Sequence, residues 1–137
     1  MLDQAFNLAQ DEKRISSPLV LVIDDNDDNL TYACGSLELF NLRHIVASNS
    51  QIALDLALEQ SPDLILLDIV MPKVDGISLA GDLKRNALTR HIPIIAVTGL
   101  AFSHQKEQIL NAGCDDYLCK PYLIEELEEK IAYFFEI

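Results

Sequence analysis

The sequence predicts an α/β fold, a doubly wound five-stranded parallel sheet with five helices, and three observations carry that expectation. Short, largely apolar runs recur at Leu19 to Ile23, Arg43 to Ala47, Leu64 to Leu67, Ile94 to Val97 and near Asp116 to Leu118. Between them lie segments whose apolar residues repeat every three or four positions, the spacing of a helix with one buried face. The solid runs have no polar alternation, as expected of strands covered on both faces. Strands alternating with helical crossovers give a parallel sheet sandwiched by helices and connected right-handed.

The elements follow in order. Residues 1–17 mix polar and scattered apolar positions and end in Ser16-Ser17-Pro18, which reads as an extension ahead of a domain spanning 18–137. Leu19 to Ile23 runs into Asp24-Asp25-Asn26, a strand followed by acids. From Asp27 the period turns helical, with Leu30, Ala33, Cys34, Leu37 and Phe40 on one face. After the Arg43 to Ala47 strand, Ser48-Asn49-Ser50 can cap a helix through Gln60. Ser61-Pro62-Asp63 breaks it before Leu64 to Leu67, which leads into Asp68. Met71-Pro72 then forces a turn, because proline restricts its predecessor and has no amide hydrogen, and Gly76 offers a permissive position before the next helix.

That helix is expected over Ile77 to Ala87. Ile92-Pro93 opens the fourth strand, which ends in Thr98-Gly99. A helix through about Ala112 stops at Gly113, a suitable C-cap. The short fifth strand leads to Lys120-Pro121. The last helix gathers Glu125, Glu126, Glu128 and Glu129 near its positive end and turns Ile124, Leu127, Ile131 and Phe134 inward.

At 137 residues the chain is long enough for one domain with a real core. Acids outnumber bases 22 to 10, a formal net charge of −12, which argues against nucleic acid or an anionic membrane as partner. The three cysteines, Cys34, Cys114 and Cys119, lack metal-ligand spacing and read as reduced thiols, with Cys119 beside Lys120 leaving a reactive thiol as the alternative. The N-terminus has no secretory pattern and no apolar run reaches membrane-spanning length, so a cytoplasmic protein is expected.

In a parallel sheet the strand ends share one edge, where residues distant in sequence converge. That edge would collect Asp24 and Asp25, then Asp68, Thr98 and Lys120. Clustered carboxylates repel unless a cation joins them, and hard oxygen donors suit Mg²⁺. A lysine and a hydroxyl would complete a cradle for a phosphoryl group.

With these residues in place the sequence resembles the receiver domain of two-component response regulators, the family of the chemotaxis protein CheY, from about Leu19 to Phe135. The acidic pair matches Asp24-Asp25, the phosphoacceptor Asp68, the switch hydroxyl Thr98, the lysine–proline pair Lys120-Pro121 and the switch aromatic Tyr117. The resemblance implies strand order 2-1-3-4-5. It implies Mg²⁺ held by Asp25, Asp68 and the main-chain carbonyl of Val70, with Asp24 acting mostly through water. It further implies phosphorylation by a histidine kinase or histidine phosphotransfer protein. Output would pass to a downstream protein target or a homodimer, through the face of the fourth helix, fifth strand and fifth helix. The chain reads as a stand-alone receiver, and a fragment of a larger sensor or regulator would read the same.

Two other classes compete. A phosphatase with an aspartyl-phosphate intermediate usually carries a second acid two residues past its nucleophile, where Val70 stands. A flavin module of similar topology would place its phosphate loop at Asp24-Asp25-Asn26-Asp27-Asp28, whose charge repels a phosphate. His44, His91 and His104 lie at no strand end beside the acids and read as packing or surface residues. Phe102 and Tyr122, each near an active-edge residue, are candidates for an exposed interaction surface. Val70 and Leu100, two residues past the acceptor and the threonine, flank the path of a hydrolytic water by the same resemblance. Both are apolar, so slow loss of phosphate is expected.

Overall fold

The computed structural model describes residues 17–71, 74–99 and 103–135. Its five main strands are β1 (Leu19–Ile23), β2 (Arg43–Ala47), β3 (Leu64–Asp68), β4 (Ile94–Thr98) and β5 (Asp116–Cys119). The helices are α1 (Asp27–Leu39), α2 (Ser50–Gln60), α3 (Gly76–Arg85), α4 (Ser103–Asn111) and α5 (Ile124–Phe135). All pairings are parallel and the order is β2-β1-β3-β4-β5, as the strand–helix alternation and the resemblance lead one to expect. A two-residue antiparallel ladder, Val70–Met71 with Val74–Asp75, lies between β3 and α3.

Alternation along the buried strands builds two cores. Leu21 and Ile23, Ile65 and Leu67, and Ile94 and Ala96 point to the face covered by α2, α3 and α4, where Ala53, Leu79, Leu83 and Ile109 meet them. Val20, Val22, Leu64, Leu66 and Ile95 point to the other face, against Leu37 of α1 and Leu127 and Ile131 of α5. Every residue of β1, β3 and β4 is buried, whereas the edge strand β2 is half-exposed over most of its length. Burying each large aliphatic side chain is worth roughly 1.5–3 kcal/mol, so the three central strands anchor the sheet.

Several boundaries differ from the sequence reading. The third helix ends at Arg85 rather than Ala87, because Asn86 is extended and its side chain caps the amide of Leu88. At the other end of α3 the Asp75 carboxylate accepts the amides of Ile77 and Ser78, so an acid caps a helix start read only as glycine-led. Asn49 is the residue of the Ser48-Asn49-Ser50 group that caps α2, accepting from the Ile52 amide. Gly113 adopts φ +104° just after α4, the left-handed conformation expected of a helix stop.

The opposite, N-terminal edge of β4 is pinned by one lysine. Lys84 Nζ donates to the carbonyls of Arg90 and Ile92 and to Asp115 Oδ2, and that carboxylate also accepts the Ile94 amide. The 1–17 extension lies outside the described residues apart from Ser17, whose carbonyl accepts from Arg43 Nε. Among the described residues no helix is long and apolar enough to cross a membrane.

Gly76 proves to be needed for space. A β-carbon there would lie 2.7 Å from the Asp68 carbonyl oxygen and from Ile69 Cα, and 2.8 Å from the Ile69 carbonyl oxygen. These are backbone atoms of the strand end that carries Asp68, so neither side can yield cheaply. Gly76→Ala is therefore expected to lower stability by about 1–3 kcal/mol, the usual cost of overpacking, in urea denaturation. Unchanged stability would show that α3 can draw back from β3 freely.

Candidate active site at the C-terminal edge of the sheet

The end of β1 is held before any charge is considered. The Asp24 amide donates to the Ala47 carbonyl of β2, and Asp24 Oδ1 accepts the Asn26 amide. Asn26 in turn caps α1 through the Asn29 amide. One short loop thus fixes the Asp24 carboxylate while satisfying the first helix turn. At the end of β3, Asp68 pairs in register with Val97, and the next amide, Ile69, donates to the Val97 carbonyl. Thr98 is buried at the end of β4, and its carbonyl accepts the Lys120 amide at 2.7 Å. Three strand ends are therefore tied together through their backbones.

The side chains converge accordingly. Asp24, Asp25 and Asp68 each offer a carboxylate oxygen within 4.8 Å of the others; Asp24 and Asp68 are buried and Asp25 is exposed. Lys120 Nζ reaches in from beyond β5, 3.2 Å from Asp68 Oδ1 and 3.9 Å from Asp24 Oδ2. Three anions around one ammonium leave a surplus of negative charge. Oxygen donors of this number and hardness, one side open to water, fit Mg²⁺.

Beside them a cleft of about 580 Å³ runs between α1 and the turn after β5, floored by Val22, Leu66 and Val97 and bounded by Asp68 and Lys120. Its rim is latched across the chain. Tyr32 of α1 donates its hydroxyl to the Tyr122 carbonyl at 2.9 Å, and the two rings meet edge to face at 5.3 Å. Tyr122 is thus half-buried, correcting the expectation of an exposed contact residue, and burial pushes its phenol up to about 12. Phe102, the other such candidate, lies outside the described residues, as do Leu100, Pro72 and the side chains of Val70 and His104.

Tyr117 stands apart from the cleft, half-buried against the core that α2, α3 and α4 cover. His44 lies within β2 and His91 ahead of β4, neither at the active edge. Burial raises the thiol of Cys114 to about 11 and that of Cys34 above its usual value, so both stay protonated near neutrality. Sequence reasoning missed the Asp75 cap, whose Asp-before-helix signal was present, and the Tyr32–Tyr122 latch, whose partners are 90 positions apart.

Comparison with known proteins agrees with this geometry. The family model for the response regulator receiver domain matches residues 20–132. The polar-differentiation response regulator DivK of Brucella anthropi is 38% identical over 112 residues, covering 82% of this chain and 91% of that protein. The receiver domain of a sensor histidine kinase from Pseudomonas aeruginosa, solved with magnesium coordinated in its active site cleft, superposes with a TM-score of 0.81 at 30% identity. That match covers 89% of this chain and all of the other. The chemotaxis protein CheY4 of Vibrio cholerae, at 21% identity and a TM-score of 0.83 over 87% of this chain and 99% of its own, shares the fold.

The charge balance sets opposite signs for two substitutions. At an effective dielectric of about 20, each like-charge pair held within 4.8 Å costs about 3 kcal/mol or more, and the Lys120–Asp68 attraction returns about 5. Asp68→Asn removes two repulsions and one attraction and is expected to raise the melting temperature. Lys120→Met strips the trio of its ammonium and should cost roughly 1–3 kcal/mol, less than a fully buried pair because the lysine is partly solvated. Thermal melts without divalent cations check both, and a destabilising Asp68→Asn would show the attraction dominates.

Proposed function

The chain belongs to the response regulator receiver domain family, and from that premise we propose that Asp68 accepts a phosphoryl group from a phosphohistidine on a histidine kinase or phosphotransfer protein. The observation that supports this most is the pairing of Lys120 Nζ with Asp68 Oδ1 at 3.2 Å, inside the three-carboxylate cluster beside an open cleft. A carboxylate oxygen of Asp68 attacks phosphorus in line as the phosphorus–nitrogen bond breaks. The departing imidazole takes a proton from water at the freed nitrogen, leaving an acyl phosphate on Asp68. Lys120 then turns its N–H groups from carboxylate to phosphoryl oxygen, holding the charge where it has moved.

Asp25, Asp68 and the Val70 carbonyl would hold Mg²⁺, with Asp24 acting through water. The ion supplies neutralising charge to the phosphoryl oxygens. The family is one of signalling domains and not of classical enzymes; that the chain assists its own Mg²⁺-dependent phosphorylation and dephosphorylation is part of the proposal. The backbone ties to β4 give the site its readout. The Thr98 hydroxyl bonds the new phosphoryl oxygen, Tyr117 follows, and the face made by α4, β5 and α5 changes for a downstream target or a second copy. The protein would act in the cytoplasm.

Phosphorylation with acetyl phosphate or a phosphorylated kinase, followed by mass spectrometry, is expected to find one hydroxylamine-sensitive acyl phosphate, on Asp68. Undiminished labelling of Asp68→Asn would overturn the assignment. The second outcome is kinetic. Val70 and Leu100 cannot orient a water, and positioning is a large part of catalysis in phosphoryl transfer, so the phosphorylated protein should decay slowly. Val70→Asn and Leu100→Glu should each shorten its lifetime, and equal decay of parent and variants would remove that role.

A further inference from the structure

Two helices outside its own strand each bring a lysine to the Tyr117 ring. Lys106 of α4 places Nζ 5.3 Å from the centre of the Tyr117 ring, and Lys130 of α5 places its own 5.7 Å away. Both distances are within the range at which an ammonium is drawn to the electron-rich face of an aromatic ring. Two ammoniums brought to one ring repel each other, and Asp116 offsets that repulsion. Asp116 Oδ1 accepts from Lys130 Nζ at 3.0 Å and from the amide of Tyr117 itself at 2.8 Å. The carboxylate thus ties one lysine to the backbone of the very residue whose ring the lysine covers.

We propose that Lys106, Lys130 and Asp116 act as positioning residues for Tyr117, a clamp that holds the ring where it stands here and sets how readily it leaves that position. The inference rests on the reading of Tyr117 as the switch aromatic and adds the restraint that opposes the switch. A switch that carries the ring away from the two ammoniums must give up their attraction. Because the lysines sit on α4 and α5, a change at either helix alters the ring's freedom without touching the carboxylate cluster.

The test uses the full chain and NMR of the Tyr117 ring in the unphosphorylated protein. Lys106→Met and Lys130→Met keep much of the aliphatic stem and remove the charge; Lys106→Arg and Lys130→Arg keep the charge. Each methionine variant is expected to shift the Tyr117 ring signals toward those of the phosphorylated parent, and each arginine variant to stay near the unphosphorylated parent. Methionine variants with parental Tyr117 signals would overturn the clamp. Arginine variants that move as far as the methionine ones would overturn it too, by showing that stem packing and not charge holds the ring. The switch reading fails separately, if phosphorylating the parent leaves Tyr117 where it was. The unphosphorylated spectra still decide whether the clamp exists.

Discussion

Three carboxylates gathered around one ammonium are the constraint on which the rest of this structure depends. Asp24, Asp25 and Asp68 offer oxygens within 4.8 Å of one another, two of the three side chains are buried, and Lys120 supplies the balancing charge at 3.2 and 3.9 Å. Such a group repels itself and would spread apart if its supports allowed it. The supports do not allow it. Each acid stands at or just past a strand end whose backbone is bonded to a neighbouring strand, and β1 and β3 are buried along their whole length. The cores on the two faces of the sheet thus fix an arrangement that is electrostatically unfavourable by itself, a common cost of a functional site.

The same rigidity explains the position of the lysine. Lys120 follows β5 directly, and its amide bonds the Thr98 carbonyl, so its charge arrives at the acids from a fixed point. The turn that follows it is latched to α1 by the Tyr32 hydroxyl. Gly76 lets α3 press against the backbone of Asp68 and Ile69, closing the third side. Charge at the edge is therefore coupled by short covalent and hydrogen-bonded paths to β4, β5 and their helices. Under the proposed function, a phosphoryl group arriving there would change the balance in a place that cannot relax locally, and the change would pass outward to Thr98 and Tyr117.

Much of this was legible in the sequence, and the reason is periodicity. Leu19 to Ile23, Leu64 to Leu67 and Ile94 to Val97 are uninterrupted apolar runs whose shortness and flanking breakers suit strands covered on both faces. Once these are parallel, Asp24, Asp25, Asp68, Thr98 and Lys120 must share an edge. What periodicity does not encode is which side chains meet across the folded surface. Lys84 reaching Asp115, Tyr32 reaching Tyr122, and Lys106 and Lys130 closing on Tyr117 are contacts across elements, which no local pattern announces. Tyr122 looked exposed for the same reason, since its cover comes from a helix 90 positions earlier. The close approach behind Gly76 is likewise invisible in sequence, where the glycine reads as a turn residue.

The central claim, that the acidic edge is built to take a divalent cation and then a phosphoryl group, is tested most directly by melting the protein over a Mg²⁺ titration at constant ionic strength. A ligand bound only by the folded state stabilises it by about 2.7 kcal/mol at a hundred times its dissociation constant. The melting temperature of the parent should rise with Mg²⁺ and approach a logarithmic dependence on its concentration, and Asp25→Ala should abolish the rise. A parent protein whose melting temperature does not respond to Mg²⁺ would contradict the account.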